Sequence, residues 1–329
     1  MSIRSRLHSC KTAAALAAAA GFLLWQPASA QDWPNKTVNV VVPLGAGSSS
    51  DIMARVVSEQ LGKQLGQSFI VENRPGAGGT IGAGAVAKSA PDGYTILAYG
   101  ALATANALYS KLQYDTLNDF IPVVSFGVQP LVVVTSPAKG YKTLGELIAA
   151  AKAKPGELNY SSAGVGSASH FAAERLGASA GFKAQHVTYR GAAEAVTEIV
   201  AGRIDFSPQL PTTTLPLVRD GKLVALAVSA HKRAAVFPNV PTTLEAGLKA
   251  DSVYPFYSGF FVPAKTPRAI VEKLHNEAVK ALQAPAVKER LTTLGVEPMP
   301  MTLEQFNKFF REDVAAAVEL VKTANIPKN

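Results

Sequence analysis

The chain has 329 residues, a formal charge of +8 and a single cysteine, Cys10. No stretch gathers lysine and arginine densely enough for a nucleic-acid surface, and one thiol supplies neither a disulfide nor a cysteine-based zinc site. At this length the chain buries a large core and is expected to divide into two domains.

Residues 1–30 read as an export signal. Arg4, Arg6 and Lys11 form a basic start, Ala13–Leu24 is an apolar run too short to span a bilayer, and Ala28-Ser29-Ala30 is a small-residue cleavage pattern. Cleavage after Ala30 removes Cys10 and the three basic residues, lowering the formal charge from +8 to +5. A thiol-free chain in an oxidising compartment must be held together by its core. No later segment is long and apolar enough to cross a membrane.

Short β-branched runs then alternate with helical stretches, which indicates α/β architecture. Strands are expected over Val38–Pro43, Ser68–Glu72 and Tyr94–Ala98, with helices over Asp51–Leu65 and Thr80–Lys88 between them. This β-α-β-α-β start implies a parallel sheet with ligands at the carboxyl ends of its strands. Val128–Thr135 is an apolar run suited to crossing between domains. A second unit follows, with strands at Leu158–Ser161, His186–Tyr189 and Asp205–Ser207, and helices at Ser167–Ala178, Ala192–Ala201 and Thr212–Arg219. Thr143 with Glu146 forms a capping box. Leu223–Ser229 is a strand that can return the chain to the first domain. Thr242 with Glu245, Thr266-Pro267, and Thr302 with Gln305 then mark late helix starts. In the last helix Leu303, Phe306, Phe310, Ala317 and Val321 form an apolar face.

The chemistry concentrates at strand-to-helix junctions. Gly45-Ala46-Gly47-Ser48-Ser49-Ser50 follows the first strand, and such a turn can present unpaired N–H groups at the positive end of a helix to an anion. It lacks the Lys-Ser/Thr pair of a phosphate-binding loop and the third glycine of a dinucleotide fingerprint. It is therefore either a plain anion-capture turn or a tight turn capped by Ser49 or Ser50. Ser161-Ser162-Ala163-Gly164-Val165-Gly166-Ser167 repeats the pattern, with Ser167 as the expected N-cap and His170 one turn further on. Arg74 and Arg190 lie at two other junctions: Arg74 either pairs with a carboxylate or braces its loop, and Arg190 is either a charged ligand contact or a solvated surface arginine. Asp205, near the Gly202 bend, either accepts a hydrogen bond from a ligand or fixes its loop. Metal-ligand spacing such as H-E-x-x-H does not occur.

Several of these segments together resemble the Bug family, the periplasmic solute-binding proteins of tripartite tricarboxylate transporters. The resemblance is carried by Pro43-x-Gly45-Ala46-Gly47, Asp51-x-x-Ala54-Arg55, Val71-Glu72-Asn73-Arg74-Pro75-Gly76-Ala77-Gly78-Gly79 and Pro91-Asp92-Gly93-Tyr94-Thr95. It continues through Gly164-x-Gly166-Ser167-x-x-His170, Tyr189-Arg190-Gly191, Gly202-x-x-Asp205 and Pro241-Thr242-x-x-Glu245-Ala246-Gly247. The resemblance implies a two-domain periplasmic binding protein, type II-like, each domain a mostly parallel sheet flanked by helices and joined by a two-segment hinge. The domains would be 31–128 with 229–329, and 129–228. A small carboxylate (a di- or tricarboxylate, an acidic amino acid or an aromatic acid) would be held by Gly45, Ala46, Gly47, Ser48, Ser49 and Ser50 on one side. Ser161, Ala163, Gly166, Ser167, Arg190 and Asp205 would hold it on the other. The expected protein is a periplasmic monomer without cofactor or metal that delivers its ligand to membrane permease subunits. Two departures from the family bear on the ligand: Ser48-Ser49-Ser50 is rich in hydroxyls, and Arg190 stands where lysine is common. The alternatives are a secreted hydrolase using His170 and a nearby serine, or a sensor of the same fold.

Overall fold

The computed structural model describes residues 33–323 together with Ile326 and Lys328; the export-signal reading lies outside the described residues. Residues 36–329 form one packed unit, and of the other, 1–35, only 33–35 are described. Within the larger unit β1 (Val38–Val42) leads into α1 (Ser49–Leu65), which ends at Gly66 in the left-handed conformation. Then come β2 (Phe69–Asn73), α2 (Thr80–Ala87), β3 (Thr95–Tyr99) and α3 (Leu102–Leu108). The chain continues through β4 (Phe120–Pro130), β5 (Val132–Thr135), α4 (Leu144–Ala153), β6 (Asn159–Ser162), α5 (Ala168–Ala180), β7 (Gln185–Thr188) and α6 (Ala192–Val200). After β8 (Ser207–Gln209), α7 (Pro211–Arg219) and β9 (Val224–Val228), a long connection reaches β10 (Pro255–Pro263), and α8 (Arg268–Gln283), α9 (Pro285–Thr293) and α10 (Leu303–Thr323) follow.

Two sheet groups result. The first has strand order β2-β1-β3-β10-β4, with β1 parallel to β2 and β3 and with β10 antiparallel to β3 and β4. In the second, β5 lies between β8 and β9, antiparallel to both. The parallel pair β6–β7 joins this group through a bridge from Tyr160 to Phe206, just ahead of β8. The sheets are therefore mixed, where mostly parallel sheets were expected. The reason is the route of the chain: β4 carries it out of the first sheet and β10 brings it back, so the two lie side by side in opposite directions. The chain passes from the first sheet to the second at Leu131 and re-enters the first sheet at β10, after β9 has paired with β5.

The apolar pattern accounts for both cores. Val38, Val40, Val41 and Val42 are buried, because helices cover both faces of a central strand. Phe306, Phe310, Val314, Ala317 and Val321 of α10 pack with Tyr257 and Phe261, and each buried phenylalanine is worth about 1.5–3 kcal/mol. In β5 the alternation splits one apolar run between two clusters. Val133 joins Leu147, Tyr160 and Phe206, while Val132 and Val134 join Ile199 and Leu215. The capping boxes at Thr143–Glu146 and Thr302–Gln305 open α4 and α10 as expected. Thr242–Glu245 forms the same reciprocal hydrogen bonds but closes a turn rather than a helix. Gly247, at φ +90°, turns the chain away before a helix can propagate.

Candidate functional site

The junction between β1 and α1 is built by three residues. Ser48, not Ser49 or Ser50, is the N-cap: its Oγ accepts the Asp51 N–H at 3.4 Å. The Asp51 carboxylate reaches back to accept the Gly47 N–H at 2.9 Å, and Gly47 sits at φ +78°, where glycine is favoured. The same carboxylate accepts from Asn73 at 2.9 Å and from Arg55 at 3.1 Å. Burial pushes this carboxyl up, but the donors from Arg55, Gly47 and Asn73 outweigh it and hold Asp51 below the usual carboxylate range. The Ser49 hydroxyl donates to Gln129 of β4, and the Ser50 hydroxyl accepts from Ser258 of β10 at 3.1 Å. Both hydroxyls are thus tied to the sheet. The N–H groups of Ser49 and Ser50 lie outside the helical ladder, as they must at a helix start.

The junction between β6 and α5 repeats this construction. Ser167 is the N-cap, as expected, its Oγ accepting the His170 N–H at 3.4 Å. The His170 ring closes the turn: Nδ1 accepts the Gly166 N–H at 3.2 Å, with Gly166 at φ +79°. The ring is stacked on His186 with centroids 4.1 Å apart, and His186 stacks on Tyr160 at 4.8 Å. Ser162 Oγ lies 2.6 Å from His186 Nε2 and accepts the Gly164 N–H at 3.1 Å. Ser169 Oγ accepts the Ala163 N–H at 3.0 Å. Burial, followed by the neighbouring His186, lowers His170 to about 3, and burial lowers His186 to about 4. Both rings are neutral at ordinary pH.

These two turns face one narrow cavity of about 40 Å³. Its walls include Ser48–Ser50 at the start of α1, Ser167–Ser169 at the start of α5, Ala192 at the start of α6, and Leu210 with Thr213 at the start of α7. Four helices therefore direct their N-terminal ends at the same space, and no charged side chain is among its lining residues. Helix N-termini carry partial positive charge and free donors, so the cavity favours an anionic group without presenting a formal cation. A wider chamber of about 670 Å³ shares Leu44 and Ala163 with it and is lined by Pro75–Gly79, Tyr109, Thr188–Arg190 and Glu194.

Backbone-to-backbone contacts close the seam beside this chamber. Gly78, at φ +61°, approaches Val165 so closely that a Cβ there would sit 1.6 Å from the Val165 carbonyl oxygen. Tyr109 Oη and Thr104 Oγ1 donate to the carbonyls of Val165 and Gly166, each at 3.0 Å. Gly191 likewise faces Gly45. An apolar groove of about 640 Å³ between α8 and α9, walled by residues such as Val279, Leu282, Leu291 and Met299, is a poor match to anion chemistry.

The expected site residues distribute unevenly. Ser48, Ser49, Ser50, Ala163 and Ser167 line the narrow cavity, and Ala163 also borders the chamber. Arg190 lines the chamber, its own N–H donating to Glu194 at 3.2 Å. Ala46 and Gly47 are exposed on the outer side of the first turn, while Gly45 meets Gly191. The N–H groups of Ala163 and Gly166 are used within the second turn. Ser161 is fully buried and donates to Ala195 O. Asp205 holds its loop: it accepts the Asn159 N–H at 2.8 Å and pairs with Lys139 at 2.7 Å. Arg74 pairs with Glu72. Ser169, Ala192, Thr213 and Glu194 were not singled out from sequence. The helix-start spacing at Ser167 and Gly191 was the one available signal for the first two.

The fold and the cleft define an α/β solute-binding protein rather than an enzyme. The tripartite tricarboxylate transporter family receptor profile, TctC, matches residues 53–326, and the chain belongs to this family. BugT of Bordetella pertussis is 35% identical over 291 residues, covering 88% of this chain and 89% of BugT. MatC of Rhodopseudomonas palustris, solved with bound malate, is 32% identical with a TM-score of 0.84, covering 88% of this chain and all (100%) of the solved chain. An R. palustris protein solved with adipate is 29% identical with a TM-score of 0.86, covering 91% of this chain and 100% of that one.

Proposed function

We propose that this protein is a periplasmic receptor that captures a small carboxylate between two lobes and delivers it to the permease of a tripartite tricarboxylate transporter. The lobes are 31–128 with 229–329, and 129–228, and the receptor acts as a monomer. One observation carries the reading: four helix N-termini converge on a cavity without charged walls, matched to a single carboxylate group. The adjoining chamber, with Arg190 on its wall, suits the rest of a longer acid. The malate and adipate bound by the two R. palustris proteins fit the same description.

Closure follows from the same geometry. A carboxylate bridging Ser48–Ser50 and Ser167–Ser169 gains contacts that exist only when the two turns face each other, so it shifts the population towards the closed form. The permease would then recognise that closed shape. A melting-temperature screen against mono-, di- and tricarboxylates, acidic amino acids and aromatic acids tests the reading. Ligand at a hundredfold excess over Kd should stabilise the protein by about 2.7 kcal/mol without turnover. A screen in which no acid raises the melting temperature defeats the proposal.

A further inference from the structure

We infer that His170 and His186 are positioning residues of the second carboxylate turn: His170 accepts the Gly166 N–H, His186 hydrogen-bonds the Ser162 hydroxyl, and together they hold the start of α5 open towards the ligand. The inference rests on the carboxylate-receptor reading and names the groups that make one half of that site.

The sequence position explains why an imidazole is needed. His170 is the third residue of α5, where a capping box ordinarily places Glu or Gln to accept a backbone N–H. A carboxylate at that place would set a negative charge one turn from the bound anion. The imidazole lone pair on Nδ1 accepts the Gly166 N–H at 3.2 Å and adds no charge. This acceptor role fixes the tautomer with the proton on Nε2.

His186 completes the support. Its Nε2 lies 2.6 Å from Ser162 Oγ, and that oxygen accepts the Gly164 N–H, so the strand end and the turn are joined through one hydroxyl. The stack Tyr160–His186–His170, with centroid separations of 4.8 and 4.1 Å, sets the plane of both imidazoles. The titratable groups facing the stack are Tyr160 of β6 and Glu174 of α5, which are hydrogen-bonded to each other at its far end. Burial keeps both rings neutral, and the neighbouring His186 adds to the effect at His170.

The test exploits which nitrogen each histidine uses. Asparagine places an oxygen near Nδ1, and glutamine places an amide group near Nε2. With malate and adipate as probes, His170→Leu and His186→Leu should each weaken binding tenfold or more. His170→Asn and His186→Gln should recover most of the loss, while His170→Gln and His186→Asn should not. Equal affinities for His170→Leu and wild type, or no recovery in His170→Asn, overturn the inference. Nitrogen-15 spectra of the wild-type imidazoles at pH 7 provide a readout that needs neither variant nor ligand. An unprotonated Nδ1 on His170 is expected, and a protonated one overturns the inference even if the leucine variants fail to fold. Wild-type protein that binds no acid in the full screen overturns the receptor reading instead, and the imidazole spectra still decide the tautomer.

Discussion

The turns Gly47-Ser48-x-x-Asp51 and Gly166-Ser167-x-x-His170 share one construction and differ in one acceptor. In both, a glycine at positive φ precedes a serine N-cap, and the third helical residue reaches back to the glycine N–H. The first turn closes with an ionised carboxylate, the second with a neutral ring. The neighbours explain how each would be tolerated beside the proposed anion site. Asp51 is surrounded by Arg55 and Asn73, which absorb its charge. His170 is stacked on His186 and lies near-parallel to Tyr160, and it carries no charge to absorb. One turn offsets a negative group; the other avoids having one.

Acid should separate the two turns most strongly. The histidines sit at about 3 and 4, below their ordinary value near 6.5. As pH falls below about 6.5 the unfolded chain takes up protons that the folded one refuses. Stability should therefore drop on the order of 1.4 kcal/mol per pH unit for each histidine until the folded values are reached. The contribution of Asp51, held below the carboxylate range, is present above about 3.9 and is lost only in stronger acid. Asp313 works in the opposite direction. Burial raises it to about 6, although Tyr257 donates to it at 3.0 Å, so its ionisation costs stability as pH rises through that value. Urea midpoints from pH 4 to 7 for wild type and Asp313→Asn should isolate the histidine slope. A flat profile in the variant would remove the histidines from the account.

Asp51→Ala should cost about 1–3 kcal/mol in denaturant unfolding, because it removes the acceptor of the Gly47 N–H and of the Arg55 side chain and one of the two acceptors of the Asn73 amide, the other being Leu44 O. A loss below that of an ordinary surface change would mean that the first turn does not depend on its carboxylate. Ser48→Ala and Ser167→Ala should each cost about 0.5–2 kcal/mol, the value of an N-cap, and should weaken carboxylate binding by a similar amount in calorimetry. Unequal losses would show that the likeness of the two caps is only geometric. Arg190→Ala should have the smallest effect: little change in melting temperature, with dicarboxylate affinity falling more than monocarboxylate affinity. Equal losses for both acids would place Arg190 outside the recognition of a second carboxylate.

Local patterns carried much of this architecture. The strand–turn–helix order, the glycines at Gly47 and Gly166, the Ser167 cap and the Thr143–Glu146 box depend on neighbours within a few residues, and the chain displays them directly. What long-range pairing decides was hidden. The antiparallel return of β10, the ties from Ser49 to Gln129 and from Ser258 to Ser50, and the stacking of His186 on His170 join residues far apart in sequence. Asp205 shows the same limit. Its bend was visible, but only the fold supplies Lys139 and Asn159 to use up its carboxylate. The first cap was misplaced for a smaller reason: three consecutive serines offer three equivalent caps, and the backbone at Gly47 selects the first.

The uncharged wall of the inner cavity has a kinetic consequence. Dipoles at helix ends fade within a turn, so they cannot draw a solute in from a distance as a lysine cluster would. Arrival of a metabolite should then depend on diffusion and on the charge of the outer rim near Arg190, so any effect of ionic strength on the association rate should come from the rim and not from the inner cavity. Residence time would be governed by how often the seam between Gly78 and Val165 parts.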